Sequence, residues 1–169
     1  MTFLFSTTGH VLSRLIRWMS GGTVSHCAVC LGVYGEPMVV SSSLLGVEMV
    51  TRTRWLADHR VVAELEVPGG DEPHPHLFLA QLGAGYDYSG MLGYLPIFVA
   101  RWLRRRVRNP WASPTRSVCT ELIVRAMQAR YRPNGWGMLD PEATYPSELL
   151  ALCRRLQYFE MPRVSSSDD

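Results

Sequence analysis

Lysine is absent from this 169-residue chain, and all 17 basic residues are arginine. Such a bias is what a GC-rich coding sequence produces, so it speaks of origin rather than function. Against 15 acidic residues the arginines leave a net charge of +2, too even a balance for a chain devoted to gripping phosphates. No specific nucleic-acid partner is expected. Charged residues are scarce at 19%, hydrophobic ones make up 47%, and mean hydropathy is −0.01. Disorder and collagen-like repeats are thereby excluded, and a core-forming globular chain is implied. The first ten residues lack a basic start, an apolar stretch of about 7–15 residues and a small-residue cleavage site, so cytoplasmic synthesis without a signal peptide is expected. Long hydrophobic runs are missing too. The most apolar window, Met91 to Leu103, is interrupted by Pro96 and Arg101 and falls short of the roughly 20 residues of a spanning helix. Four cysteines, Cys27, Cys30, Cys119 and Cys153, are too few for a disulfide framework.

Periodicity divides the chain into two kinds of segment. Thr2 to Ser6 reads as a strand, and His10 to Met19 as an amphipathic helix with Val11, Leu12, Leu15, Ile16 and Met19 opposite Arg14 and Arg17. Ser20-Gly21-Gly22 ends it. Thr23 to Val33 and Met38 to Ser43 form a hairpin, Gly46 to Thr51 a further strand, Arg52 to Asp58 a helical turn, and Arg60 to Val67 a fourth strand of this group. The strongest loop signal is Pro68 to Pro73. Helices are expected at His76 to Leu82, behind Pro96, from a Ser117 cap to about Arg130, and from Pro146 to about Arg154. Asn109-Pro110 and Ser113-Pro114 mark a loop. Segregated helices and an antiparallel sheet define an α+β class, with residues 1–163 as one domain and 164–169 as a polar tail expected to be mobile.

Cys119 is the sharpest chemical candidate. In the first turn of its helix, unpaired backbone N–H groups and the positive dipole end favour a thiolate; the competing reading is a small buried cysteine that merely packs. A nucleophilic thiolate needs an imidazole to stabilise it and to protonate a leaving group. His26, inside a predicted strand, fits that role, its alternative being a core histidine bonded to backbone. His10, His59, His74 and His76 read as solvated. Cys27 and Cys30 stand three apart on a strand and point to opposite faces, so they do not share a metal, and no metal or cofactor is expected. Gly83-Ala84-Gly85 lacks the preceding strand and following lysine of a phosphate loop. Arg101, Arg104, Arg105 and Arg108 form either a solvated helix face or a patch for anionic partners.

The order of these pieces carries a resemblance. Thr23-Val24-Ser25-His26-Cys27-Ala28-Val29, the hairpin into Val39-Val40-Ser41-Ser42-Ser43, Gly46-Val47, Gly85-Tyr86-Asp87-Tyr88, Ser117-Val118-Cys119-Thr120-Glu121-Leu122-Ile123 and Tyr145-Pro146-Ser147-Glu148 follow one another. Together they closely resemble the circularly permuted branch of the NlpC-type papain-like cysteine hydrolases, which includes the YiiX-like proteins and the lecithin:retinol acyltransferase group. The resemblance covers about residues 1 to 155 and implies a small antiparallel sheet packed on helices, with the strand-borne His preceding the helix-borne Cys. It implies Cys119 as nucleophile, His26 as general base and acid, and an acyl-thioester intermediate. The third residue that orients the imidazole falls at Ser41, with Ser42 and Ser43 as register alternatives, where the family often has Glu or His. A hydroxyl holds the tautomer without stabilising imidazolium by charge, and Glu48 on the next strand is an alternative. The oxyanion would sit between the Cys119 backbone N–H and Tyr86. Peptidoglycan peptides are the leading substrate, with a bacteriophage tail-associated, virion-borne hydrolase as the implied setting. The other readings are a weak or inactive binding module of the same fold, and a lipid-directed acyltransferase or acyl hydrolase meeting the membrane surface through Trp102, Leu103 and the four arginines. Oligomeric state is left open.

Overall fold

Period-two alternation in the first half of the chain builds an antiparallel sheet. Its strands are β1 (Thr2–Thr7), β2 (His26–Val33), β3 (Glu36–Ser43), β4 (Gly46–Thr51) and β5 (Arg60–Glu66), in the spatial order β4-β3-β2-β1-β5. The computed structural model describes residues 1–161 apart from 34, 44, 70–72, 88–95, 101, 104–115 and 132–134. A two-residue strand at Phe159–Glu160 pairs with β5 and adds a sixth position at that edge. A parallel pair, β6 (Gly85–Tyr86) and β7 (Arg116–Ser117), stands apart. The helices are α1 (Val11–Ser20), α2 (Arg52–Asp58), α3 (His76–Leu79), α4 (Cys119–Tyr131) and α5 (Pro146–Arg155), with a short helical segment at residues 96–100. These elements make an α+β structure. Among the described residues no helix is long and apolar enough to cross a membrane.

Alternation sorts the sheet's side chains into two layers. Phe3, Phe5, Cys27, Val29 and Leu31 share one buried cluster with Leu122, Ile123 and Met127 of α4 and with Leu149 of α5. Each large side chain so buried is worth roughly 1.5–3 kcal/mol. Phe3 meets Trp136 edge-on at 6.2 Å between ring centres. On the other face Leu4, Ala28 and Val39 are covered by Trp55 of α2. Cys27 and Cys30 accordingly belong to different faces.

α1 is the amphipathic helix expected, but its stripe is not buried: Val11 is 80% and Leu15 41% exposed, Leu12, Ile16 and Met19 are half-buried, and Ser13 is its one buried residue. A polar anchor holds the helix. The Ser13 hydroxyl meets Ser25 Oγ at 2.6 Å and Thr7 Oγ1 at 3.0 Å and accepts the Thr8 N–H at 3.1 Å. The helix is thus tied to the end of β1 and to the residue before β2. It stops at Gly21, whose φ of 62° lets its N–H turn back onto carbonyls of the last turn.

The other boundaries lie within a few residues of the sequence reading, α3 being shorter than the predicted helix to Leu82. The tail 164–169, Arg101, Arg104, Arg105 and Arg108, and the loop through Asn109-Pro110 and Ser113-Pro114 lie outside the described residues, as does the Ser117 side chain that was expected to cap α4.

β4 holds the start of β6 in place through a close backbone approach. Val47 N–H donates to the Ala84 carbonyl at 2.8 Å, and Gly83 N–H donates to Val47 at 2.9 Å. Gly46 permits this: its φ is +115°, and an added Cβ would lie 2.5 Å from the Ala84 oxygen. Gly46→Ala is expected to destabilise the fold by about 1–3 kcal/mol, read as a lower urea midpoint at unchanged slope; an unchanged midpoint would show that the approach relaxes at no cost.

Candidate functional site

The first turn of α4 stands at the end of the central strand β2. The Val118 carbonyl accepts the Leu122 N–H at 3.3 Å, so Val118 is the N-cap and Cys119 the first helical residue. Glu121 reaches back to accept the Val118 N–H on Oε2 at 3.3 Å, half of a capping box. The parallel pairing of Tyr86 with Ser117 sets the Gly85-Tyr86-Asp87 segment beside this turn, with Asp87 fully buried.

His26 is the first residue of β2. It pairs with Ser6, where β1 shifts register against β5, and such irregularities re-aim side chains at strand ends. His26 and Cys27 leave alternate faces of the strand, yet both reach Cys119 because they stand at the end of the sheet. The Cys119 thiol is pushed well below its ordinary pKa. The hydrogen bond from the Cys27 thiol lowers it most; the charge and hydrogen bond of His26 and a backbone bond from Cys27 lower it further, while burial opposes them. Cys27 moves the other way, raised by burial in the core and by its bond to Cys119. The direction is physically sound: Cys119 is half-buried at a helix N-terminus, whereas Cys27 is fully buried, so the anion resides on Cys119. The structure therefore brings together the two leading sequence candidates, residues separated by most of the chain.

Ser41 is placed less directly. It is buried in β3 and pairs with Glu48 of β4, but among the described residues no hydrogen bond joins it to His26. Ser42 and Ser43 pair with Val47 and Gly46. The ring beside His26 is instead His59, 5.1 Å away between centres. His59 was read from sequence as solvated; it is half-buried because it stacks on Trp55 at 4.2 Å with planes 4° apart. His59 Nδ1 lies 3.0 Å from the Trp55 carbonyl, which can only accept, so that nitrogen carries the proton and Nε2 is left as an acceptor. Burial and the neighbouring charge of His26 lower the His59 pKa, while the Trp55 carbonyl, Asp58 and Glu48 pull it up. Nε2 of His26 is buried and has no partner among the described residues. Sequence reasoning missed His59 and the thiol of Cys27; the signal for the first was its spacing four residues after Trp55. His10, His74 and His76 are exposed as expected. Among the described residues no group of three or more His, Cys, Asp and Glu is placed to hold a metal ion. No family model matches the chain, and no curated protein matches it.

Two predictions follow from these electrostatics. Iodoacetamide labelling of Cys119 against pH is expected to give a midpoint below the roughly 8.5 of a free thiol, and Cys27→Ala to move it upward; a free-thiol midpoint in both proteins would contradict the lowered pKa. Glu121 is held protonated up to about 7, by burial first, aided by Asp87 and Glu142 and opposed by Arg125 and the Val118 N–H. The folded state thus keeps a proton that the unfolded chain releases at about 4.3. Its contribution, on the order of 3 kcal/mol, is fully present below the unfolded pKa and lost as pH rises through about 7. Stability of the wild type relative to Glu121→Gln should fall from pH 5 to 8 in thermal melts; a constant difference would show that Glu121 ionises normally.

Proposed function

We propose that this protein is a cysteine hydrolase of amide or ester bonds with a permuted papain-like arrangement, acting most naturally on peptidoglycan peptides. The observation that carries the reading is the meeting of Cys119 with His26 at the start of α4, with the thiol held below its ordinary pKa. In this mechanism the Cys119 sulfur attacks the acyl carbon, and the negative oxygen that develops on that carbon faces the Cys119 backbone N–H in the first turn of the helix. Tyr86, strand partner of Ser117, is the second donor. His26 protonates the departing amine or alcohol as the thioester forms. It then takes a proton from the water that hydrolyses the thioester, regenerating the thiolate.

In this reading His59 replaces Ser41 as the residue behind the imidazole. Its neutral Nε2 is an acceptor beside the His26 ring, and Glu48 and Asp58 supply the negative field. That supplies what a serine lacks, a ring acceptor held neutral by burial and by the charge of His26.

A lipid acyl chain as substrate is favoured by one specific observation. α1 and the segment after residue 96 expose Trp18, Val99, Trp102 and Leu103, joined by the Trp18 and Phe98 rings at 5.1 Å, with Arg14 exposed alongside. An apolar pad flanked by arginine suits an anionic membrane surface.

The test is turnover of purified sacculi and of vesicle-borne acyl esters by wild type, Cys119→Ala and His26→Ala. Wild type is expected to cleave one of the two, Cys119→Ala neither, and His26→Ala to be slower by about 10²–10⁴. His59→Phe, which keeps the stack on Trp55, should slow turnover more than Ser41→Ala. Equal turnover by wild type and Cys119→Ala would remove the catalytic assignment.

A further inference from the structure

Two thiols share one hydrogen bond at the site, and they differ in every property that decides thiol chemistry. Cys119 is half-buried and opens a helix; Cys27 is fully buried behind it, on the strand that carries His26. Cys119 also packs directly against the core cluster to which Cys27 belongs. Hydrolysis uses Cys119 alone, so the thiol of Cys27 is a nucleophilic group the mechanism leaves unused. The remaining two cysteines are placed differently: Cys30 lies on the opposite face of the sheet, and Cys153 is buried on α5.

We propose that Cys27 and Cys119 form a peroxide-sensing pair, in which oxidation of Cys119 by a hydroperoxide is resolved by Cys27 into a reversible disulfide that shuts the site. In the first step the Cys119 thiolate attacks one peroxide oxygen. An S–O bond forms, the O–O bond breaks, and the departing oxygen leaves as water or alcohol with a proton from His26. Cys119 is then a sulfenic acid, oxidised by two electrons. In the second step the Cys27 sulfur attacks the Cys119 sulfur. An S–S bond forms and the S–O bond breaks, and hydroxide leaves as water with the proton that Cys27 gives up. Two thiols and one hydrogen peroxide thus become one disulfide and two waters, and an external dithiol reverses the change.

The arrangement favours resolution over further oxidation. A sulfenic acid in an exposed site proceeds to sulfinic acid when peroxide is in excess; here the attacking thiol is already in contact and peroxide must enter from the half-buried side. The lowered pKa of Cys119 makes it the sulfur that peroxide oxidises first, while Cys27, raised by burial and by its bond to Cys119, keeps its proton until the S–S bond forms. The loss of hydrolysis on oxidation rests on the reading given under Proposed function. The bond itself does not.

The experiment reads mass, not turnover. Wild type, Cys27→Ser and Cys119→Ser are titrated with hydrogen peroxide, blocked with N-ethylmaleimide, digested without reductant and mapped. Wild type is expected to yield one linked peptide pair joining Cys27 to Cys119, about 2 Da lighter than the two free peptides, which dithiothreitol separates. Cys27→Ser is expected to carry Cys119 as sulfinic acid, about 32 Da heavier, at a dose that leaves the wild type recoverable, and Cys119→Ser to show neither product at Cys27. Sulfinic Cys119 to the same extent in wild type and Cys27→Ser, with no linked pair, overturns the proposal. So does a pair joining Cys27 to Cys30 or Cys153. Because these readouts need no substrate, a protein that forms the disulfide yet hydrolyses nothing separates failure of the hydrolase reading from failure of this one.

Discussion

A sulfur anion in a half-buried position is tolerable only where fixed donors replace the water it has lost, and this requirement organises the molecule around the start of α4. The helix supplies first-turn N–H groups, which have no carbonyl of a preceding turn to bond. The sheet supplies the rest, because β2 ends there with His26 and Cys27 in succession, both directed at Cys119. For two adjacent strand residues to serve one sulfur, the helix must approach the end of the strand and not its middle. The register shift between Phe5 and Ser6 of β1 lies beside His26, and the buried Ser13 and Ser25 hydroxyls fasten the chain just before it. β2 itself is held on both sides, by β1 and by β3.

Much of this was legible from local pattern. β4 and α2 begin and end where apolar alternation and the Thr51-Arg52 change of character place them, and the core face of α4 contains Leu122, Ile123, Ala126 and Met127 as the helical spacing requires. Cys119 stood out because first-turn N–H groups and the dipole favour a thiolate, and His26 because an imidazole within an apolar strand is a poor choice for packing alone. What local pattern does not carry is which partner a face meets. α1 has a clear apolar stripe, but a polar residue, Ser13, supplies its anchor, while Val11 and Leu15 stay exposed and Leu12, Ile16 and Met19 are half-buried. His59 lies between α2 and β5, a position that reads as solvent-facing until α2 presents Trp55 for it to stack on. Cys27 read as packing because its second partner is 92 residues away in sequence, by subtraction of 27 from 119.

The ring beside His26 comes from a position that the sequence did not single out. A strand residue such as Ser41 is fixed in register by its neighbours, and its pairing with Glu48 leaves it little freedom to reach an imidazole at the strand's end. A residue leaving a short helix has no such constraint. His59 is positioned by its own stack and by the Trp55 carbonyl, so its acceptor nitrogen is defined before His26 needs it. The electrostatic consequence differs from that of a serine: burial and the charge of His26 hold the His59 ring neutral, against the pull of Asp58 and Glu48, so what it presents is an aromatic acceptor in place of a hydroxyl.

Competition for the helix N-terminus is the remaining constraint, and it links stability to chemistry. A carboxylate at the third helical position ordinarily takes the favourable interaction with the dipole, and Glu121 occupies that position two residues from the thiol. Were it ionised, the first turn would hold two negative charges with Asp87 buried nearby, and each would raise the other's cost. Burial resolves the conflict by keeping the Glu121 proton on up to about pH 7, while Oε2 still accepts the Val118 N–H. A neutral carboxyl thus caps the helix geometrically without claiming its field, and the positive end of α4 is left to the sulfur of Cys119. The same acid loosens its proton as pH rises through about 7, so the environment that favours the thiolate is itself bounded on the alkaline side by a residue two positions along the helix.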